Sequence, residues 1–211
     1  MMHRAGDPRV SGPAAVKEAP LRRDIGHHHP FPPEPIIDED TRYVDAGAVR
    51  IGVEFRRIDG LADRLRATYT GTPFEAVFEE WRRSRTAARD GAPAETAGMA
   101  GLGGGVSLHV IGADDGHEYL RFDCLDGVPH YHYLRPWTRP EECDNHAVDW
   151  DEVAQGPMLP WALNTLRSRV PEMLVEAGGA EVAARVEPGA LRAAVDRVEG
   201  LVEETRPNAA G

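Results

Sequence analysis

Hydrophobic and polar positions alternate most regularly over residues 106–134, VSLHVIGADDGHEYLRFDCLDGVPHYHYL. A period of two is the mark of strands with two unlike faces. Asp126-Gly127 signals a two-residue hairpin turn that needs positive φ, and closing it pairs Leu125 with Val128. Counting back sets Leu120, Arg121, Phe122 and Asp123 opposite Tyr133, His132, Tyr131 and His130. Asp114-Asp115-Gly116 suits a three-residue turn with glycine in the left-handed position. That turn pairs Ala113 with His117, Val110 with Leu120, His109 with Arg121, Leu108 with Phe122, Ser107 with Asp123 and Val106 with Cys124. One face then carries Val106, Leu108, Val110, Leu120, Phe122, Cys124, Tyr131 and Tyr133; the other carries Ser107, His109, Arg121, Asp123, His130 and His132. A slip of one residue would mix the two sets.

Elsewhere the pattern predicts fewer elements. Val49, Ile51, Val53 and Phe55 alternate with Arg50, Glu54 and Arg56, a further strand over 48–58. Helical spacing follows over about 61–69, and again over 73–90. There Thr72, Pro73 and Glu75 form a start signal and Phe74, Val77, Phe78 and Trp81 form one stripe, a core face. The tract at 91–105 reads as a linker: its glycines precede a strand instead of following one, which excludes both phosphate-binding glycine motifs. Residues 135–156 look irregular, and helices are expected over 158–177 and 188–204. The expectation is an α+β domain over 45–205: a meander of about four antiparallel strands with helices packed on its apolar face. The other face would stay wet, as antiparallel sheets commonly allow.

Composition sets the first 40 residues apart. They are rich in Pro, Gly and charge, and too poor in large apolar groups to offset chain entropy, so they read as a disordered arm. His27-His28-His29 falls in this arm. Adjacent residues of an extended segment point in different directions, so the run reads as composition before it reads as a site. Pro30-Phe31-Pro32-Pro33 has the character of a polyproline segment that docks on a partner. The net charge of −11 disfavours nucleic acid or an anionic membrane as partner. Two cysteines make no disulfide framework, and no apolar run reaches membrane-spanning length or forms a signal peptide. A cytoplasmic, bacterial-type protein is the expectation.

Candidate chemistry gathers on the polar face. His130 and His132, two apart on a strand, project side by side as a pair of metal ligands. Cys143 and His146 follow at C-x-x-H spacing, and together the four would supply the nitrogen and sulfur donors zinc prefers. Asp123, opposite His130, is either a further ligand or the carboxylate that fixes a ring tautomer, and the pair could also serve as acid–base catalysts. His109 and Arg121 complete a polar row able to bind a ligand. Ser107, Asp123 and His130 form no hydrolase triad, because the carboxylate and not the imidazole lies in the middle.

The segments LRFD (120–123) and PHYHY (129–133) resemble the RYDNAPHH segment of small toxins that pair with TumA-type antitoxins and act on RNA. The resemblance covers under a tenth of the chain and implies an RNA-directed toxin. Tyr131 interrupts the paired histidines here, and the Asn is absent. The residues themselves point to an accessory or binding protein, a subunit of a larger complex, with a metal or ligand site on the sheet. The alternative is a metal-dependent enzyme using His130 and His132.

Overall fold

In this computed structural model, which describes residues 25–87 and 103–205, the period-two segments become strands. They are β1 (His27–His29), β2 (Thr41–Asp45), β3 (Val49–Arg56), β4 (Gly105–Gly112), β5 (Glu118–Leu125), β6 (His130–Arg135) and β7 (Asp144–Asp149). All join one antiparallel sheet in the order β1-β7-β6-β5-β4-β3-β2. Among the described residues the sheet thus has seven strands instead of about four. Of the three not foreseen, β7 lies in the passage read as irregular, and β1 and β2 lie where local composition carried no strand signal. Pairing to neighbours, not local pattern, makes them strands.

The central registers are those the alternation dictates. Val106 to Val110 pair with Cys124 to Leu120, and Leu120 to Asp123 pair with Tyr133 to His130. The turns differ. At Asp126-Gly127 positive φ occurs only at Gly127. Beyond Val110 a β-bulge shifts the register, so Ile111 meets Glu118 and Gly112, not Ala113, bonds to His117.

The helices are α1 (Leu61–Tyr69), α2 (Glu75–Ala87), α3 (Glu152–Gln155), α4 (Met158–Ser168), α5 (Val170–Glu176), α6 (Ala180–Ala183) and α7 (Pro188–Thr205). The helix expected over 158–177 breaks at Arg169 because Pro171, in the first turn of α5, cannot donate to the preceding turn. Leu166, Leu174, Val195 and Val198 from α4, α5 and α7 pack on the apolar sheet face against Leu108, Val110, Leu120 and Phe122. Each such fully buried side chain contributes about 1.5–3 kcal/mol.

The polar face is covered too, which corrects two expectations. Residues 25–40 are not a disordered arm: β1 pairs with β7, and the segment after it crosses the face. The backbone oxygens of Phe31, Glu34 and Pro35 accept hydrogen bonds from Asn145 of β7, Arg121 of β5 and Arg56 of β3 in turn. Phe31 anchors the segment in a second apolar cluster with Tyr69, Phe74, Phe78 and Cys143, so α1 and α2 lie behind it. The polyproline segment therefore docks on the chain's own sheet. Side chains expected to be solvated are buried: Ser107 and His109 are fully enclosed, and Arg121, Asp123 and His132 nearly so. Residues 1–24 of the expected arm and 91–102 of the glycine-rich tract lie outside the described residues.

Candidate metal centre

Burying charge is costly unless each charge finds a partner. Towards β3 the covered face does this with alternating signs. Arg56 Nε lies 2.9 Å from Glu54 Oε1, and Glu54 Oε2 lies 3.2 Å from His109 Nε2, at ion-pair distance but off the hydrogen-bond direction. On its other side His109 Nδ1 is 2.6 Å from Glu118 Oε1, and Arg121 closes a two-pronged ion pair on Glu118 at 2.8 and 2.6 Å. Burial opposes the ionisation of Glu54 and Glu118, but these basic neighbours outweigh it and hold both carboxyls below their ordinary range. His109 and Arg121, read from sequence as ligand-binding, are spent on these internal partners.

The bulge beyond Val110 explains how Glu118 arrives. Strict alternation would turn a residue three before Arg121 away from it. The extra residue in β5 brings Glu118 back to the polar side. Neither alternation nor composition carried a signal for this.

Towards β7 lies a different arrangement. Asp123, His130 and His132 present ligand atoms that all lie within 4.8 Å of one another. Both His130 Nε2 and His132 Nε2 stand 3.3 Å from Asp123 Oδ2. The other carboxylate oxygen, Oδ1, accepts from Ser107 Oγ across the β4–β5 register.

The second nitrogen of each ring decides what the first can do. His130 Nδ1 is 2.7 Å from the Val128 carbonyl, which can only accept, so this nitrogen carries the proton. His132 Nδ1 is 2.6 Å from Asn145 Oδ1. That amide is oriented by its own Nδ2, which donates to the Phe31 carbonyl at 3.3 Å, so Oδ1 accepts and His132 Nδ1 donates. Both Nε2 lone pairs therefore face a carboxylate oxygen, an arrangement that is repulsive unless a cation or a shared proton lies between. Burial pushes His132 below its ordinary value, favouring the neutral, ligating form. Burial works the other way on Asp123, but its contact with His132 and His130 and the nearby Arg121 guanidinium hold it well below the carboxylate range.

Cys143 and His146 do not join this cluster. Their C-x-x-H spacing leads into a strand, not a loop, and residues three apart on a strand face opposite ways. Cys143 sits buried in the second apolar cluster, its thiol pushed up to about 11 by burial and then by Asp144. His146 projects to the other side, opposite Tyr133, stacked on His28 at 4.2 Å and donating to the Ile25 carbonyl. The adjacent histidines of β1 diverge as well: His27 reaches Asp149 and His28 reaches Asp144. Sequence reasoning missed Asn145 as a support for the site, although its place two residues after Cys143 would have put it on the inner face of any strand there.

No helix among the described residues is long and apolar enough to cross a membrane. No curated protein and no solved structure matches the chain. A family match spans residues 43–202, which hold all three converging side chains and Asn145 but begin beyond Phe31 and Glu34. Over that span, more than half of its length, the chain belongs to the family described as a domain of unknown function, DUF7700.

Proposed function

We propose that this protein binds a divalent transition metal, zinc first, through Asp123 Oδ2, His130 Nε2 and His132 Nε2. The observation that carries the reading is the tautomer of the two imidazoles. Each gives its Nδ1 proton to a carbonyl oxygen, as metal-bound histidines usually do, and each aims its bare Nε2 at one carboxylate oxygen. The spacing suits the ion at two of the three donor pairs, and the third, within 4.8 Å, has to close by a small ring movement as the ion binds. Two donors held tetrahedrally at about 2.0–2.1 Å stand roughly 3.3–3.4 Å apart, and both imidazole–carboxylate distances are 3.3 Å.

Three protein ligands leave a coordination position for water, the pattern of catalytic as opposed to structural zinc sites. His130, a quarter exposed, gives the site its opening to solvent, while Asp123 and His132 are enclosed. A bound metal would lower the pKa of such a water towards neutrality and supply a nucleophile. The chain's own part is to hold three ligands, exclude bulk water on the inner side and fix both rings. The reading favours a metal-dependent hydrolytic centre over a purely structural one.

Elemental analysis of the purified protein tests this directly. About one zinc, or another divalent transition metal, per chain is expected, together with its loss in His130→Ala/His132→Ala that still shows the native circular dichroism. Metal-free wild type that takes up no zinc or cobalt on titration, or equal occupancy in the double variant, would remove the proposal.

A further inference from the structure

The docked N-terminal arm reaches one of the three proposed ligands, His132, through a single intermediary, Asn145. We infer that arm docking and metal binding are coupled: residues 25–37 seated on the sheet raise the affinity of the centre, and the metal in turn holds the arm down. The inference rests on the metal reading above and adds its regulation.

The first connection runs from Phe31. Its carbonyl accepts from Asn145 Nδ2, which turns Asn145 Oδ1 to His132 Nδ1, which leaves His132 Nε2 as a bare donor towards the metal. Without the Phe31 carbonyl, the Asn145 amide is free to turn its NH2 group to His132. The ring would then carry its proton on Nε2, the wrong nitrogen for the ligand position. A second anchor lies beside the site: the Glu34 carbonyl accepts from Arg121 at 2.8 Å, and Arg121 stands two residues before Asp123 on the same face of β5.

The arm also has the edge position of a unit that can open on its own. Among the described residues β1 is a three-residue edge strand, paired with β7. The segment after it is held by Phe31, whose ring meets Tyr69, Phe78 and Trp81 at centroid distances of 5.3–5.6 Å in a cluster separate from the main core, and by Glu34 and Pro35, which bind Arg121, Arg56 and Arg64. It departs from the rest at the short 3-10 turn Asp38–Asp40, none of whose residues is buried. Few enclosed apolar contacts and an edge position are the features of a locally opening unit. Linkage makes the effect reciprocal: the factor by which docking raises metal affinity equals the factor by which metal favours docking.

Hydrogen exchange of the peptide 25–37, with and without saturating Zn2+, combined with zinc affinities by competition titration, tests the coupling. In wild type, zinc is expected to slow arm exchange about 5-fold or more. Phe31→Ala is expected to lower zinc affinity about tenfold, with exchange in β4 and β5 unchanged. In Asn145→Asp, which keeps an acceptor for His132 but sets a carboxylate against the Phe31 carbonyl, zinc should lose most of its effect on the arm. Should Phe31→Ala not fold, the wild-type comparison decides alone. Zinc bound by a wild type whose arm exchanges at the same rate in both states would overturn the coupling and leave the metal reading standing. Wild type that binds no zinc would overturn both.

Discussion

Asp123 has both oxygens committed, one to Ser107 and one to the two imidazoles. Removing the serine hydroxyl leaves the carboxylate free to swing, so Ser107→Ala should weaken zinc binding by about tenfold without unfolding the chain. Cys143→Ser and His146→Ala should leave zinc stoichiometry unchanged, because one thiol is packed among aromatic rings and the other side chain faces across the sheet. A competition titration on the three variants checks all of this. If His146→Ala abolished binding, the ligand set would be wrong. At this scale the sequence was informative wherever a strand kept its period, as for Asp123, His130 and His132. It misled at Cys143 and His146, where spacing was weighed as if the segment were a loop. Glu118 was hidden by a bulge, because one inserted residue reverses the facing of what precedes it.

Among the elements, the crossing of β3, β4 and β5 at their shared end shows why the chain before β4 is glycine. Gly104 has φ of 133°, a region L side chains rarely adopt, and a methyl group there would stand 2.2 Å from the Arg56 carbonyl oxygen. Its own carbonyl accepts from the Asp126 backbone, tying the hairpin of β5 and β6 to this crossing. Gly104→Ala should therefore cost about 2–3 kcal/mol in urea unfolding, whereas Gly116→Ala, with open space around its Cβ, should cost less. Equal costs would mean that the close approach is not a constraint. The glycines read as a linker are here, at Gly103–Gly105, the place where two strands and a turn meet. Composition identified the tract as a break in pattern but carried no sign of what it must avoid. The arm was illegible for a related reason. Its apolar content is small, and its order comes from backbone oxygens accepting from side chains far along the chain, which no local window contains.

Across the whole molecule, the consequence of covering a polar face is a dependence on pH. Glu54 and Glu118 lie below their ordinary 4.5 in the folded chain. A carboxyl depressed on folding binds its proton more readily when unfolded, so its stabilising contribution is complete above about 4.5 and is lost as pH falls towards the folded value. His132, depressed from 6.5 by burial, has the same sign: the unfolded chain takes up the proton first, and stability begins to decline below about 6.5. Metal-free protein should thus be most stable at neutral or mildly alkaline pH, weaken gently below 6.5 and steeply below 4.5. Glu118→Gln tests the origin of the steep part. It leaves the buried Arg121 guanidinium without its carboxylate, a loss of about 3–5 kcal/mol at pH 7, and it removes one group whose titration drives the acid limb. Urea unfolding at pH 7 and pH 4 should therefore show a smaller gap between variant and wild type at the lower pH. A gap that stays constant would mean that the Glu118 carboxylate carries no pH-dependent share of the stability. The acid sensitivity would then lie with Glu54 and Asp123 on the same face.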